Sequence, residues 1–191
     1  WGLTPTVIPN GVDFARFHDA ASNAPEAIAR RKGWRNRLGR YVLAVGGIEP
    51  RKGSIDLLDA CALVRDVDPD LGLVFAGGET LFDYRDYRSE FDCRQEELGL
   101  RPTVLGPVDD DQLPSLVAAS EVFAFPSTKE GFGLAAMEAL AAGRPVVARE
   151  LPILREVFGD TVRYAESADS LADEILAART PDAQRAHHGR A

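Results

Sequence analysis

The chain has 191 residues, of which 45% are hydrophobic and 27% are charged. A chain of this length and composition suits one soluble globular domain with a sizeable core. The formal net charge of −8 argues against nucleic acid or an anionic membrane as the main partner, although a local basic patch can still bind a phosphate.

In chain order, short apolar segments alternate with segments of helical periodicity. The predicted strands are Tyr41–Val45, Leu71–Gly77, Thr103–Gly106, Val122–Ser127, 145–149 and 161–165. The predicted helices cover 54–65, the second half of 78–100, 110–120, 133–143, 151–159 and 167–179. We expect Asp110 or Asp111 to cap the third of these helices and Gly143 to end the fourth.

Most of these strands are unbroken apolar runs, which are typical of parallel strands buried on both faces of a sheet. Strands that alternate with helices predict an α/β fold. The expected architecture is a doubly wound, Rossmann-like parallel sheet with right-handed crossovers.

The two cysteines, Cys61 and Cys93, match no metal-binding or redox spacing, and each falls in a predicted helix. We therefore expect reduced thiols and a cytoplasmic location. No apolar run approaches the roughly 20 residues of a membrane span. The chain does not begin with Met, and its first residues resemble the middle of a strand and loop, so we expect a piece of a longer protein.

The loops that follow strands are the candidate sites, because ligands of such sheets bind beyond the carboxyl ends of the strands. The first loop, residues 46–53 with the sequence GGIEPRKG, pairs two glycines with Arg51 and Lys52 beside a helix start. The glycines let the backbone approach a ligand closely. Together with a helix N-terminus and two cations, this favours the binding of an anion. The loop is neither a Walker A motif nor G-x-G-x-x-G, which disfavours an ATPase or a dinucleotide enzyme. Taken alone, however, the loop is better explained as a glycine turn with two solvated cations.

The second loop, residues 106–111 with the sequence GPVDDD, places three acids ahead of a helix. Such acids can hold a metal ion or cap the helix, and caps are far commoner. Capping is the preferred interpretation, with the backbone of 106–109 left free to line a pocket.

The third loop, residues 128–133 with the sequence TKEGFG, leads into a helix that carries Glu138. Glycines at the helix start direct backbone N–H groups outward, and Glu130 lies just outside the first turn. Carboxylates accept paired hydrogen bonds from vicinal hydroxyls, so Glu130 and Glu138 suit a sugar and a ribose. The alternative is a favourable charge at the helix start and a solvated or ion-paired Glu138.

All three loops are expected to follow buried strands and to open at one edge of the sheet. Cations can bind a diphosphate, carboxylates can bind sugar hydroxyls, and backbone that approaches closely can bind a base. Together these features indicate a nucleotide-sugar site.

Four segments then carry a resemblance to a known family: VIPNGVDFARF, VGGIEPRKG, KEGFGLAAMEALAAGRPVVA and LREVFGD, at 7–17, 45–53, 129–148 and 154–160. Together they resemble the C-terminal, donor-binding domain of retaining glycosyltransferases of the two-domain GT-B class, of the group 1 or family 4 type. The third segment is the most specific, since it holds the paired glutamates of that family. The resemblance runs over nearly the whole chain.

The resemblance implies a role for each matching position. Glu130 would contact the donor sugar, Glu138 the nucleotide ribose, and Lys52 the diphosphate. The family usually has an arginine where this chain has Gly47, so Arg51 is expected to supply that charge, and diphosphate affinity is the least secure inference. The remaining implied contacts come from backbone or apolar groups around the donor: Gly46, Gly47, Val108, Gly131, Phe132, Gly133 and Leu134.

The implied reaction is transfer of a sugar from a nucleoside diphosphate to an acceptor hydroxyl with retention of configuration. It implies no cofactor and no metal, because cations and helix ends neutralise the leaving group. The implied organisation is an interdomain linker and first strand region at 1–18, the donor-binding domain at 19–180 and a truncated tail at 181–191.

The expected partners are a nucleotide-sugar donor and a missing N-terminal acceptor domain, with peripheral membrane contact by the parent protein also open. We expect the chain alone to bind donor without turnover. Two alternatives remain, a nucleotide-sugar epimerase and a non-catalytic nucleotide- or sugar-binding module. The nucleotide base, the sugar and the acceptor stay open.

Overall fold

One six-stranded parallel sheet organises the protein, whose computed structural model describes residues 10–77 and 84–179. The strands are β1 Arg40–Val45, β2 Leu71–Ala76, β3 Thr103–Val104, β4 Val122–Phe125, β5 Val146–Arg149 and β6 Arg163–Ala165. Their spatial order is β3-β2-β1-β4-β5-β6, and every neighbouring pair is parallel. The prediction of a doubly wound, Rossmann-like sheet is therefore confirmed.

Helices flank the sheet on both faces. In the described residues they are α1 Phe14–Ala21, α2 Pro25–Leu38, α3 Ser54–Val67, α4 Arg85–Glu97, α5 Leu113–Ala119, α6 Leu134–Ala141, α7 Pro152–Phe158 and α8 Ala168–Ala178, with a single 3₁₀ turn at Pro50–Lys52. The helices α3 to α8 match the predicted ones in position, whereas α1 and α2 were not predicted.

Two hydrophobic cores explain why the strands are unbroken apolar runs. Along β1, Tyr41 and Leu43 point into the core beneath α1, α5 and α6, while Val42 and Ala44 point into the core beneath α3 and α8. Successive side chains of a strand point to opposite faces, so a strand covered on both faces must be apolar at every position.

The third strand and the helix after it differ from expectation. Both residues of β3 are exposed at the edge of the sheet, so the second loop does not follow a buried strand. The expected caps Asp110 and Asp111 are also wrong, because Gln112 is the cap residue of α5 and makes no side-chain cap bond. The carbonyl of Asp109 instead accepts the N–H groups of Gln112 and Leu113, which turns the chain into the helix.

The predicted end of α6 at Gly143 is confirmed. Gly143 has a positive φ of 64°, and its N–H donates to the carbonyl of Leu140. The N–H of Arg144 donates to the carbonyl of Ala139, which completes a Schellman motif.

The expected boundary after residue 18 falls inside α1, because Phe17 is buried in the core and the helix continues to Ala21. Residues 1–9 and the expected tail at 181–191 lie outside the described residues. Both cysteines are on helices as predicted, Cys61 buried and Cys93 exposed, and neither is in a disulfide. Across 10–77 and 84–179, every helix is too short or too polar to cross a membrane.

Candidate functional site

The first and third loops meet where the strand order reverses. β1 and β4 are neighbours in the sheet although β2, β3 and the helices α3 to α5 lie between them along the chain, so the loops that follow them lie side by side. This position is the topological switch point, at which open α/β sheets bind ligands.

Two close backbone approaches join the first loop to the chain between β4 and α6. The N–H of Thr128 donates to the carbonyl of Arg51 at 2.8 Å. A Cβ atom on Gly53, whose φ is 63°, would lie 2.2 Å from the carbonyl oxygen of Pro126. Only glycine fits both that backbone angle and that space, so Gly53 is required for the contact.

The predicted Lys52, Arg51 and Glu130 come together at this junction. Nζ of Lys52 donates to Oε1 of Glu130 at 2.5 Å, and both side chains are mostly buried. The same ammonium group lies 5.3 Å from the centre of the Phe125 ring, a cation–π distance. Nη1 of Arg51 lies 3.9 Å from the same Oε1 of Glu130, so one carboxylate faces two cations.

Glu49 is a charged residue of this cluster that the sequence analysis did not single out. Its carboxylate is buried, and its Oε1 lies 2.7 Å from Nη2 of Arg51. Its position between the glycines and the cations of a short loop is the sequence feature that could have identified it as a site residue.

A small cavity lies below the first loop, at the carboxyl ends of β1 and β4. It is partly open to solvent and is lined by Gly46, Gly47, Lys52, Ser54 and Ser127 among others. Within the described residues, the buried hydroxyls of Ser54 and Ser127 have no hydrogen-bond partner. The predicted glycines of the first loop thus border a space that Lys52 and these two serines also line.

The third loop opens α6 with an uncapped N-terminus. Gly133 is the cap residue with φ 90°, and no side chain among the described residues caps this helix end. A Cβ on Gly133 would lie 3.0 Å from the Phe158 ring, whereas the space around Gly131 is open. Phe132 is half-buried between them, and Leu134 is exposed at the helix start. The backbone here is therefore accessible to a ligand from the side of Gly131.

Glu138 lies one turn into α6 and faces a different set of charges. Burial raises the pKa of its carboxyl above the ordinary value, and the positive charge of Arg16 on α1 opposes that rise. The negative charge of Asp110 in the second loop adds to that rise. Val108 of that loop is half-buried against the core.

The metal alternative for the second loop gains no geometric support. Nowhere in 10–77 and 84–179 are three or more His, Cys, Asp or Glu residues grouped so that they could hold a metal ion. The three acids Asp109, Asp110 and Asp111 are exposed.

Comparisons with known proteins give the family. The model of the family described as "Glycosyl transferases group 1" matches residues 27–188. A D-inositol 3-phosphate glycosyltransferase of Salinispora arenicola is 37% identical over 150 residues, which are 74% of this chain and 33% of that protein. A phosphatidyl-myo-inositol mannosyltransferase of Mycobacterium leprae is 34% identical over 190 residues, 96% of this chain and 46% of that protein. The chain thus spans less than half the length of these curated relatives.

Solved structures agree in fold. The structure of Anabaena HepE in complex with UDP and glucose superposes with a TM-score of 0.77 at 27% identity, over 97% of this chain and 52% of that one. The C-terminal domain of the group 1 glycosyl transferase LpcC from Francisella tularensis superposes with a TM-score of 0.73 at 23% identity, over 94% of this chain and 93% of that domain. The resemblance inferred from the sequence motifs is confirmed, and the chain belongs to the group 1 glycosyl transferase family, as a domain of GT-B type.

Proposed function

We propose that this chain is the donor-binding domain of a retaining glycosyltransferase and that it binds a nucleoside-diphosphate sugar at the switch point. The observation that supports this most directly is the 2.5 Å contact between Lys52 and Glu130. It brings a cation suited to phosphate and a carboxylate suited to sugar hydroxyls to one place, beside an uncapped helix start.

In this proposal the diphosphate lies between the first loop and the start of α6. Lys52 and Arg51 provide charge-assisted hydrogen bonds, and the N–H groups of 131–134 provide further donors. The glycines Gly46 and Gly47 let the backbone of the first loop come close to the phosphates. Gly46 has φ 131°, a conformation that side chains other than hydrogen disfavour.

The two glutamates hold the hydroxyl-bearing parts of the donor. Glu130 accepts hydrogen bonds from the sugar, because it lies beside the diphosphate-binding cations. Glu138 accepts from the ribose, and Val108 of the second loop borders the base. The electrostatic influence of Asp110 on Glu138 supports placing the second loop at the nucleoside end of the donor.

The mechanism follows from where charge develops. As the bond between the sugar C1 and the diphosphate oxygen breaks, its electron pair stays on the diphosphate, where Lys52, Arg51 and the α6 N-terminus stabilise it. The acceptor hydroxyl attacks C1 on the same face, and its proton passes to the departing phosphate oxygen. These cations supply the neutralisation that a metal ion would otherwise give, so the proposal includes no metal or other cofactor.

Front-face transfer is preferred over a double displacement with Glu130 as nucleophile. A double displacement needs a second carboxylate as acid and base near the scissile bond. Glu138 is assigned to the ribose, and Glu49 is buried against Arg51. Glu130 itself is paired with Lys52, which favours its role as a hydrogen-bond acceptor.

The whole enzyme is a larger assembly in this proposal. The chain spans 33% and 46% of the two relatives described above, which leaves room for a separate acceptor domain in a parent protein. We expect the isolated chain to bind donor and to transfer no sugar. A cytoplasmic parent, with peripheral membrane contact where its acceptor is a lipid, belongs to the same proposal.

The first experiment is calorimetric titration of the chain with UDP, GDP and ADP. Saturable binding of one diphosphate supports the donor site, and we expect Glu138→Ala to weaken it about tenfold through loss of the ribose contact. Glu96→Ala on the exposed side of α4 is the matched control and should bind like the unaltered chain. Binding of none of the three diphosphates, or equal weakening in both variants, would contradict the assignment.

A second assay separates binding from transfer and from epimerisation. The chain is incubated with the sugar form of the diphosphate that binds, and products are followed by chromatography. An unchanged donor is the expected result. Conversion into an epimer would favour the epimerase alternative, and efficient transfer by the isolated chain would contradict the need for a second domain.

A further inference from the structure

Glu49 is a buried charged residue to which the proposed function assigns no role. The residue is 3% exposed, and its Oε1 lies 2.7 Å from Nη2 of Arg51. Arg51 itself is half-exposed, with 48% of its side chain accessible. A buried carboxylate without a cation is strongly unfavourable. The guanidinium of Arg51 therefore stays with Glu49 whether or not a ligand is bound.

The second amino group of the Arg51 guanidinium lies beside Glu130. Its Nη1 lies 3.9 Å from Oε1 of Glu130, the oxygen that also accepts from Lys52. A guanidinium is a rigid plane with donors on several sides, so fixing Nη2 on Glu49 leaves Nη1 available to a second acceptor.

The backbone of Arg51 is fixed as well. Its carbonyl accepts the N–H of Thr128 from the third loop, and Pro50 restricts the preceding φ angle. The carbonyl of Glu49 accepts the N–H of Lys52 at 3.0 Å, which closes the turn that holds all three residues. Both ends of the Arg51 side chain are thus held in place.

We propose that Glu49 is a positioning residue, which holds Arg51 beside Lys52 so that Arg51 gives the diphosphate its second cation. Arg51 then replaces the arginine that Gly47 leaves missing from the first loop. This inference rests on the proposed function, because it assigns Glu49 to the same donor site. It also favours arginine at position 51, because the rigid plane of a guanidinium fixes the directions of its donors, whereas a lysine that pairs with Glu49 has no fixed second donor aimed at the diphosphate.

The test compares diphosphate affinity with nucleoside affinity in the whole chain. Calorimetry gives Kd for whichever of UDP, GDP and ADP binds, and for the nucleoside with the same base. We expect Glu49→Gln and Arg51→Lys each to raise the Kd of the diphosphate about tenfold, the effect of one charge-assisted hydrogen bond, and to leave the nucleoside Kd unchanged. The control is Glu174→Gln, which breaks a 2.7 Å pair with Arg163 on α8 and β6 and should change neither Kd.

The sign of the Glu49→Gln effect separates positioning from a simple charge effect. The substitution makes the first loop more positive, so a purely Coulombic role predicts tighter diphosphate binding. Tighter or unchanged binding would overturn the inference. Should Glu49→Gln fail to fold, as judged by its melting curve, Arg51→Lys decides alone, since it keeps the charge and the partner of Glu49. An unchanged diphosphate Kd in Arg51→Lys would then refute the role.

The same measurements distinguish failure of the proposed donor site from failure of the role of Glu49. If the unaltered chain binds none of the three diphosphates, the proposed function falls and the role of Glu49 falls with it. If the unaltered chain binds and both variants bind equally well, only the role of Glu49 is refuted.

Discussion

Gly77 offers the sharpest test of how the fold positions the first loop. It follows β2, and a Cβ atom there would lie 2.1 Å from the carbonyl oxygen of Gly46 and 2.8 Å from the nitrogen of Gly47. A carbon and an oxygen that are not bonded stay at least about 3.3 Å apart, so Gly77→Ala must push the two backbones apart by about 1 Å. The N–H of Gly46 donates to the carbonyl of Ala76 at 2.8 Å, next to that contact, and this bond would break.

The expected cost follows from these two effects. Losing the hydrogen bond costs about 1 kcal/mol, and overpacking against backbone costs about 1–3 kcal/mol. We therefore expect Gly77→Ala to lower the free energy of unfolding by about 2–4 kcal/mol. Diphosphate binding should also weaken in the variant that still folds, because displacing a ligand-binding loop by about 1 Å disrupts its contacts.

The assay is urea denaturation followed by circular dichroism, with Gly33→Ala as the matched control. Gly33 lies inside α2 with no atom within 4 Å of its missing Cβ. The same substitution there should raise the free energy of unfolding by about 1 kcal/mol, through helix propensity alone. A Gly77→Ala variant within about 0.5 kcal/mol of the unaltered chain would refute the close-approach argument.

Three further outcomes are expected. Gly133→Ala should lower the free energy of unfolding by about 1–3 kcal/mol in urea titration, because its φ of 90° and the Phe158 ring at 3.0 Å both oppose a side chain; a neutral effect would contradict the strain. Tyr41→Phe should cost about 1 kcal/mol in thermal unfolding, since its buried hydroxyl donates to the carbonyl of Leu116 at 2.6 Å, and a stabilised variant would refute this. Burial raises the pKa of Glu138, so the folded chain keeps this proton to higher pH than the unfolded chain. The free energy of unfolding should therefore fall as pH rises from the ordinary glutamate pKa to the raised one, and melting curves of Glu138→Gln should lack that part of the fall.

The sheet was predictable because the continuous apolar sequence of its strands fits a strand that is covered on both faces. Val42 and Leu43 are consecutive yet lie in different cores, and only a strand covered on both faces requires that pattern. The helix α2 was not predictable in this way. Ala27 is its only buried residue, and its cations leave no continuous apolar stripe. Tertiary contacts hold it instead, such as the Trp34 Nε1–H that donates to Oγ of Ser115 at 2.9 Å.

The site likewise contains residues that sequence motifs identify and residues that only tertiary contacts reveal. Lys52 and Glu130 were identified from their motifs, and their proximity follows from the strand order, which no local pattern contains. Glu49 was missed because Glu-Pro-Arg-Lys is a typical exposed turn sequence. Its carboxylate pairs with Arg51, and the carbonyl of Arg51 accepts the N–H of Thr128 from the third loop, a tertiary contact that the local sequence does not indicate. The prediction that Asp110 or Asp111 caps α5 was wrong because the backbone carbonyl of Asp109, and not a side chain, accepts the N–H groups at the start of the helix.

The pairing of Lys52 with Glu130 has a consequence for how the proposed donor would be selected. A diphosphate that bonds to Lys52 draws the ammonium group away from a carboxylate that is only 11% exposed. Without a new partner, that carboxylate would lose much of its stabilisation. The hydroxyls of a donor sugar supply the partner, whereas a free nucleoside diphosphate does not. Sugar and diphosphate are thus coupled through one ion pair in the proposed site, and the complete donor should bind more tightly than the diphosphate product that must leave.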